Sequence, residues 1–236
     1  TLDPALVGDK IVLCRRGASA RADKSRAVYL AGGAGMILYN NSDTDSLNSD
    51  NHWVPSVHID LTPGLAIKDY ITTTVGATAE LISSVSEWPY APSMTSFSSR
   101  GPNPVVGDII KPDITAPGIQ ILAGYSPTSY DAYDLPGEYF AAIGGTSMSS
   151  PQVAGIFALM DQAHPDWSPA EVKSALMTTA YQDVVDNDRV SPADPFDMGA
   201  GHANPGGKWI KGSISQPGLA YDAGLFEYAA FTCGQE

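Results

Sequence analysis

Short apolar runs alternate with helical stretches through the first ninety residues, and that alternation restricts the chain to an α/β fold. Lys10–Cys14 reads as a strand ending at Arg15-Arg16-Gly17. A helix is predicted from about Arg21 to Ala31, with Ala22, Val28, Tyr29 and Leu30 apolar among charges. Gly32-Gly33 stops it, because glycine accepts the left-handed cap conformation. Met36–Tyr39 and Ser56–Ile59 read as further strands. Between them, residues 40–51 are polar and turn-rich and are predicted to form a surface loop. Thr62-Pro63-Gly64 opens a helix to about Ile71, with proline just inside its start.

Ser and Pro then cluster between residues 83 and 104, and a domain boundary is placed near residue 90. The second half carries a strand at Tyr139–Ile143, then Gly144-Gly145, then a helix with Val153, Ala154, Ile156, Phe157, Leu159 and Met160. Those apolar positions predict a buried helix. Ser168-Pro169-Ala170-Glu171 is a capping box that opens a second helix with Val172, Ala175, Leu176 and Thr179 inward. Residues 186–218 read as Gly- and Pro-rich loop.

Ser147 lies at this strand-to-helix junction. A serine hydroxyl attacks only when a base takes its proton and fixed donors receive the oxyanion. The start of a helix offers unpaired N–H groups and favours negative charge. The small residues Gly144, Gly145, Ser149 and Ser150 leave room for a substrate backbone, and Pro151 is read as lying in the first turn. The α/β-hydrolase elbow does not fit, because Ser149 stands where that pattern has glycine. A plain helix N-cap built from small residues fits the local pattern as well.

The bulk numbers exclude several classes. Among 236 residues, 43% are hydrophobic and 17% charged, which is globular composition. A formal charge of -13 argues against nucleic acid and anionic membranes as partners. No apolar run approaches the roughly 20 residues of a membrane helix. The chain opens Thr1-Leu2-Asp3-Pro4 without an initiator methionine and reads as a cut from something longer. Cys14 and Cys233 are two free thiols, or pair outside this stretch, or pair with each other. Two cysteines and four scattered histidines have no metal-ligand spacing, and no loop shows calcium-ligand spacing. No cofactor is expected from this stretch, and calcium in a longer protein is left open. Asn40-Asn41-Ser42 is a glycosylation sequon, a hint of surface loop.

Gly145-Thr146-Ser147-Met148-Ser149-Ser150-Pro151-Gln152-Val153-Ala154-Gly155 resembles the serine motif of the subtilisin-like serine proteases, the subtilases. Four more segments resemble that family in order. They are Phe97–Pro102, Lys111–Gly118, His164–Pro169 with Ser174–Ala180, and Gly199–Pro205 with Pro217–Asp222. Gly8–Cys14 and Gly32–Asn40 resemble the protease-associated (PA) domain inserted in one branch of it. The resemblance implies residues 1–90 as the later part of a PA domain. It implies residues 91–236 as the later part of a subtilisin-like domain, an incomplete parallel sheet with flanking helices.

It further implies a secreted serine endopeptidase acting on proteins or peptides. Ser147 would be its nucleophile, with Ser147 and Thr146 supporting the oxyanion. The family's Asp, His and oxyanion Asn would fall before Thr1, so the missing N-terminal part of the catalytic domain is the expected partner. This stretch alone is then expected to be inactive. A partner for Cys14 would also lie outside it. None of His52, His58, His164 and His202 matches the catalytic base. Two positions depart from the family: Gln152 stands where most relatives have His, and Gly144 where many have Ser. Met148, next to the nucleophile, would be sensitive to oxidation if exposed. The competing reading is an inactive homologue that serves as a protein-binding module.

Overall fold

A computed structural model describes residues 1–48, 50–82, 92–128, 139–206 and 214–235. The boundary expected near residue 90 falls among 83–91, outside the described residues. The chain forms two compact units, Thr1–Trp88 with Ile119–Gly144, and Pro89–Gly118 with Gly145–Glu236.

The first unit opens with a short helix, α1 (Pro4–Val7), which the sequence reading missed. Asp3 Oδ1 caps it, accepting from the Ala5 N–H at 2.9 Å. Then follow β1 (Ile11–Arg15), α2 (Arg21–Leu30), β2 (Gly35–Tyr39), β3 (Ser56–Ile59) and α3 (Leu61–Thr73). The three strands are parallel in the order β1-β2-β3, with Ile11 opposite Gly35 and Met36 opposite Ser56. Central β2 is buried throughout, which explains its unbroken apolar run. Its side chains alternate between faces. Met36 and Leu38 join Val28 of α2 and Val54 in the core, with Val12 and Cys14 against them. On the other face Tyr39 lies against α3, where only a glycine fits. A Cβ at Gly64 would sit 2.4 Å from Cγ of the Tyr39 ring.

Gly32 ends α2 with φ +75°, as the sequence predicts. α3 starts one residue earlier than predicted, so Pro63 is its third residue. Asp43 secures that start, accepting from the Thr62 N–H at 2.7 Å and the Thr62 hydroxyl at 2.5 Å.

The tract from Asn40 to Asn51 is irregular, as predicted, and Asn41, Asp43, Thr44 and Asn51 are exposed, but three of its polar residues turn inward. Asn40 is 0% exposed. Its Oδ1 accepts from Arg16 Nη1 at 3.2 Å and from His58 Nε2 at 2.7 Å. Its Nδ2, the atom a glycan would occupy, donates to the Asp45 carbonyl at 3.0 Å. Ser46 and Asn48 are also buried. His58 Nδ1 lies 3.0 Å from the Asn48 N–H nitrogen and 3.1 Å from the Asn48 carbonyl oxygen. His52 Nδ1 lies 3.1 Å from Ser25 Oγ. Burial pushes both imidazoles below their ordinary value of 6.5. Two further strands, β4 (Ile121–Gly124) and β5 (Phe140–Ile143), pair antiparallel with Ile121 opposite Ile143. β5 was predicted; β4 was not.

The second unit holds α4 (Thr146–Ala163), α5 (Pro169–Thr178), α6 (Pro195–Met198) and α7 (Leu225–Cys233). The predicted capping box is present at α5. Ser168 Oγ accepts from the Glu171 N–H at 3.1 Å, and Glu171 Oε2 from the Ser168 N–H at 2.7 Å. Met160, Val172, Leu176 and Ile214 form the core, with Ile114, Ile156, Phe157 and Trp167 packed on it.

The prediction that α4 is buried is corrected. Among the described residues of α4 only Met160 is buried, and Leu159 is 66% exposed. Within this unit α4 packs on α5, and a single packed side buries a single stripe. The predicted loop 186–218 contains α6, opened by Asp194, whose Oδ1 accepts from the Phe196 N–H at 2.7 Å. Gly199 (φ +63°) and Gly201 (φ +125°) then pass against Pro112 and Tyr181, where a Cβ would approach carbonyl oxygens to 2.4 and 2.3 Å.

Two outcomes are expected. Gly64→Ala forces Tyr39 off β2's lower face and should destabilise the first unit by about 1–3 kcal/mol, read by denaturant unfolding. The depressed histidines bind protons more readily when unfolded. Their contribution is therefore complete above pH 6.5 and is lost as pH falls below it. Melting temperature should drop between pH 7.5 and 5.5, and the drop should shrink in the His52→Gln/His58→Gln double variant.

Candidate active site at the start of α4

Gly145 is extended (φ 162°) and precedes Thr146 and Ser147, the first two residues of α4. Their N–H groups have no partner inside the helix, since the first four donors of any helix lack one. The first turn closes tightly, with the Met148 N–H donating to the Gly145 carbonyl at 2.9 Å. No acidic residue occupies the first turn, so the positive end of the helix dipole is not neutralised there. Ser147 is exposed, as is Thr146.

Pro151 is not in the first turn, as the sequence reading had it. It is the sixth residue of α4. Proline has no N–H, so the Ser147 carbonyl four residues back loses its helical bond. Ser147 thus has neither an i−4 acceptor for its N–H nor an i+4 donor for its carbonyl.

An irregular segment elsewhere in the unit, Pro117-Gly118, braces the helix start. The Gly145 N–H donates to the Gly118 carbonyl at 2.7 Å. Gln152 Nε2 donates to the Pro117 carbonyl at 2.6 Å and to the Met148 carbonyl at 3.2 Å. Gly118 has no room for a side chain, because a Cβ would lie 2.4 Å from Ser149 Oγ and 3.0 Å from the Gly145 oxygen. Sequence reading marked Ala116-Pro117-Gly118 and Gln152 but assigned neither a role. The signal was the glycine after the proline, a position where a backbone comes close.

The other marked segments build the frame of this unit. Arg100 donates from Nη2 to Asp194 Oδ2 at 2.7 Å and from Nη1 to Asp197. The Arg100 guanidinium holds Asp194 below the usual carboxylate value. Burial alone would raise Asp113, but Lys111 at 2.5 Å and Lys173 at 2.7 Å outweigh it and hold the carboxyl low. The Gly201 carbonyl accepts from Thr115 N–H at 2.9 Å, and His202 exchanges bonds with Tyr181 at 2.7 and 2.9 Å.

Each of the four histidines has a contact of its own. His52 and His58 belong to the network of the first unit. His164 stacks on Trp167 at 4.2 Å, and His202 Nδ1 sits 2.9 Å from the Ala203 carbonyl. Both cysteines are free: Cys14 is half-buried, with its thiol pushed up by burial, and Cys233 is exposed. Among the described residues no group of three His, Cys, Asp or Glu could hold a metal ion. Among them, too, no helix is long and apolar enough to cross a membrane.

The parallel sheet of the first unit and the helices around it make this an α/β protein, and Ser147 stands exposed at a helix start in the second unit. Comparison with known proteins gives the family. The profile of the Subtilase family matches residues 40–201, and that of the PA domain matches residues 3–67. The chain belongs to the subtilase family. Its relatives include the subtilisin-like proteases SBT1.4, SBT1.3 and SBT5.3 of Arabidopsis thaliana, at 44%, 41% and 40% identity over 98%, 100% and 99% of this chain. The matched region is 31% of the length of each of these three relatives, so the chain spans about a third of them.

Proposed function

We propose that the full protein is a secreted serine endopeptidase with Ser147 as nucleophile. The observation that carries this reading is the exposed Ser147 hydroxyl at a helix start whose N–H groups at Thr146 and Ser147 are unspent within the helix. The names of the relatives, all subtilisin-like proteases, support the same chemistry. Residues 1–90 are the later part of a PA domain that influences substrate access. Residues 91–236 are the later part of the catalytic domain.

In this reading a base removes the Ser147 proton as Oγ attacks the scissile carbonyl carbon. Charge moves to the carbonyl oxygen, where the Ser147 N–H receives it with support from the Thr146 N–H and the helix dipole. Collapse of that intermediate expels the amine, which takes the proton from the base. Water then hydrolyses the ester at Ser147 by the same steps. The base, its orienting acid and a side-chain oxyanion donor are supplied by protein outside these 236 residues, since each histidine here has another engagement. The substrates are proteins or peptides.

A fluorophosphonate should label Ser147 in the full-length protein. Ser147→Ala should abolish the label and lower peptide turnover roughly 10⁶-fold. The 236-residue chain alone should show no turnover. An intact, folded full-length protein that takes no label overturns the nucleophile and favours a binding module.

A further inference from the structure

Two regular helical hydrogen bonds are missing at Ser147. As the second residue of α4, Ser147 has an N–H without a helical acceptor, and Pro151 deprives its carbonyl of a helical donor. Catalysis by an attacking hydroxyl requires a nucleophile fixed to within a fraction of an ångström.

The Pro117-Gly118 segment supplies that fixity with two bonds that bracket the serine. On the N-terminal side, the Gly145 N–H reaches the Gly118 carbonyl at 2.7 Å. On the C-terminal side, the Gln152 amide reaches the Pro117 carbonyl at 2.6 Å. Ser147 lies between them. The second N–H of the same amide reaches the Met148 carbonyl at 3.2 Å, one residue beyond the serine. Both donors of Gln152 are therefore spent on carbonyls. The flipped amide would aim Oε1 at oxygen atoms and is repelled, so the side-chain orientation is unique. Gly118 packs on Ser149 and Gly145 with no space for a Cβ, so the segment lies directly against the helix start.

We propose that Gln152 is a positioning residue for Ser147. Its amide clamps the Pro117-Gly118 segment to the first two turns of α4 and fixes the serine whose regular helical bond Pro151 removes. Gln152 touches no reacting atom. The inference rests on Ser147 being the nucleophile.

The test uses the full-length protein. Gln152→Met keeps the side-chain length and loses both donors. It should slow fluorophosphonate labelling of Ser147 and lower kcat by about ten- to a hundredfold, with KM unchanged. Gln152→His retains an N–H donor and should recover labelling to within a fewfold of the wild type. Gln152→Glu faces a carboxylate to two carbonyl oxygens at neutral pH and should fall below Gln152→Met. If Gln152→Met does not fold, Gln152→Asn, one methylene shorter and out of reach of Pro117, carries the same expectation.

Wild-type labelling rates in the folded Met or Asn variant would overturn the positioning role, as would a rise in KM with kcat intact. A loss that histidine does not rescue would also overturn it. A wild-type protein that takes no label at Ser147 overturns the nucleophile reading itself, a failure distinct from these.

Discussion

The contact between the Pro117-Gly118 segment and the start of α4 is the constraint on which the geometry around Ser147 depends. A helix start leaves donors unpaired, and that is why it attracts negative charge. Pro151 takes one more regular helical bond from Ser147. Two hydrogen bonds to one segment, from Gly145 and Gln152, hold the helix start while the N–H groups of Thr146 and Ser147 are left unspent within the helix. Arg100, Asp113, Gly199 and Gly201 set the course of the flanking chain. They do so with ion pairs and with close backbone passages that no side chain could share.

The first unit rests on a different device. A central parallel strand is buried on both faces, so its neighbours must cover it without leaving polar groups stranded. α2 covers one face with Val28. α3 comes close enough on the other only because residue 64 is glycine. The chain leaving β2 carries Asn40 into the interior, and Arg16, His58 and the Asp45 backbone satisfy it. A tract with the composition of a surface loop is thereby tied down from within. The cost is a dependence on neutral imidazole.

Much of the architecture was legible in the residues. Strands β1, β2, β3 and β5, and helices α2, α3, α4 and α5, follow from apolar runs, glycine stops and the Ser168–Glu171 box, which are local signals. The elements that escaped have weak local signals or need distant partners. α1 and α6 are four residues long and are held by the caps of Asp3 and Asp194. β4 has a strand's hydrogen bonds only because β5 lies beside it. α7 falls in a stretch for which the sequence reading named no helix. The burial of α4 was overread, because an apolar helix shows what it could bury and not what is packed against it.

Sequence by itself determined the α/β class, the family to which the chain belongs, and Ser147 as the residue to watch. Each of these is written in short contiguous patterns, where neighbouring side chains and backbone propensity decide the outcome. Tertiary structure alone decided the rest. It turned the sequon asparagine into a buried hub, moved Pro151 into the body of α4, and gave Gln152 a carbonyl 35 positions away to hold. Hydrogen bonds of that kind depend on which backbone groups the fold leaves unpaired at close range, and a linear pattern does not contain that information.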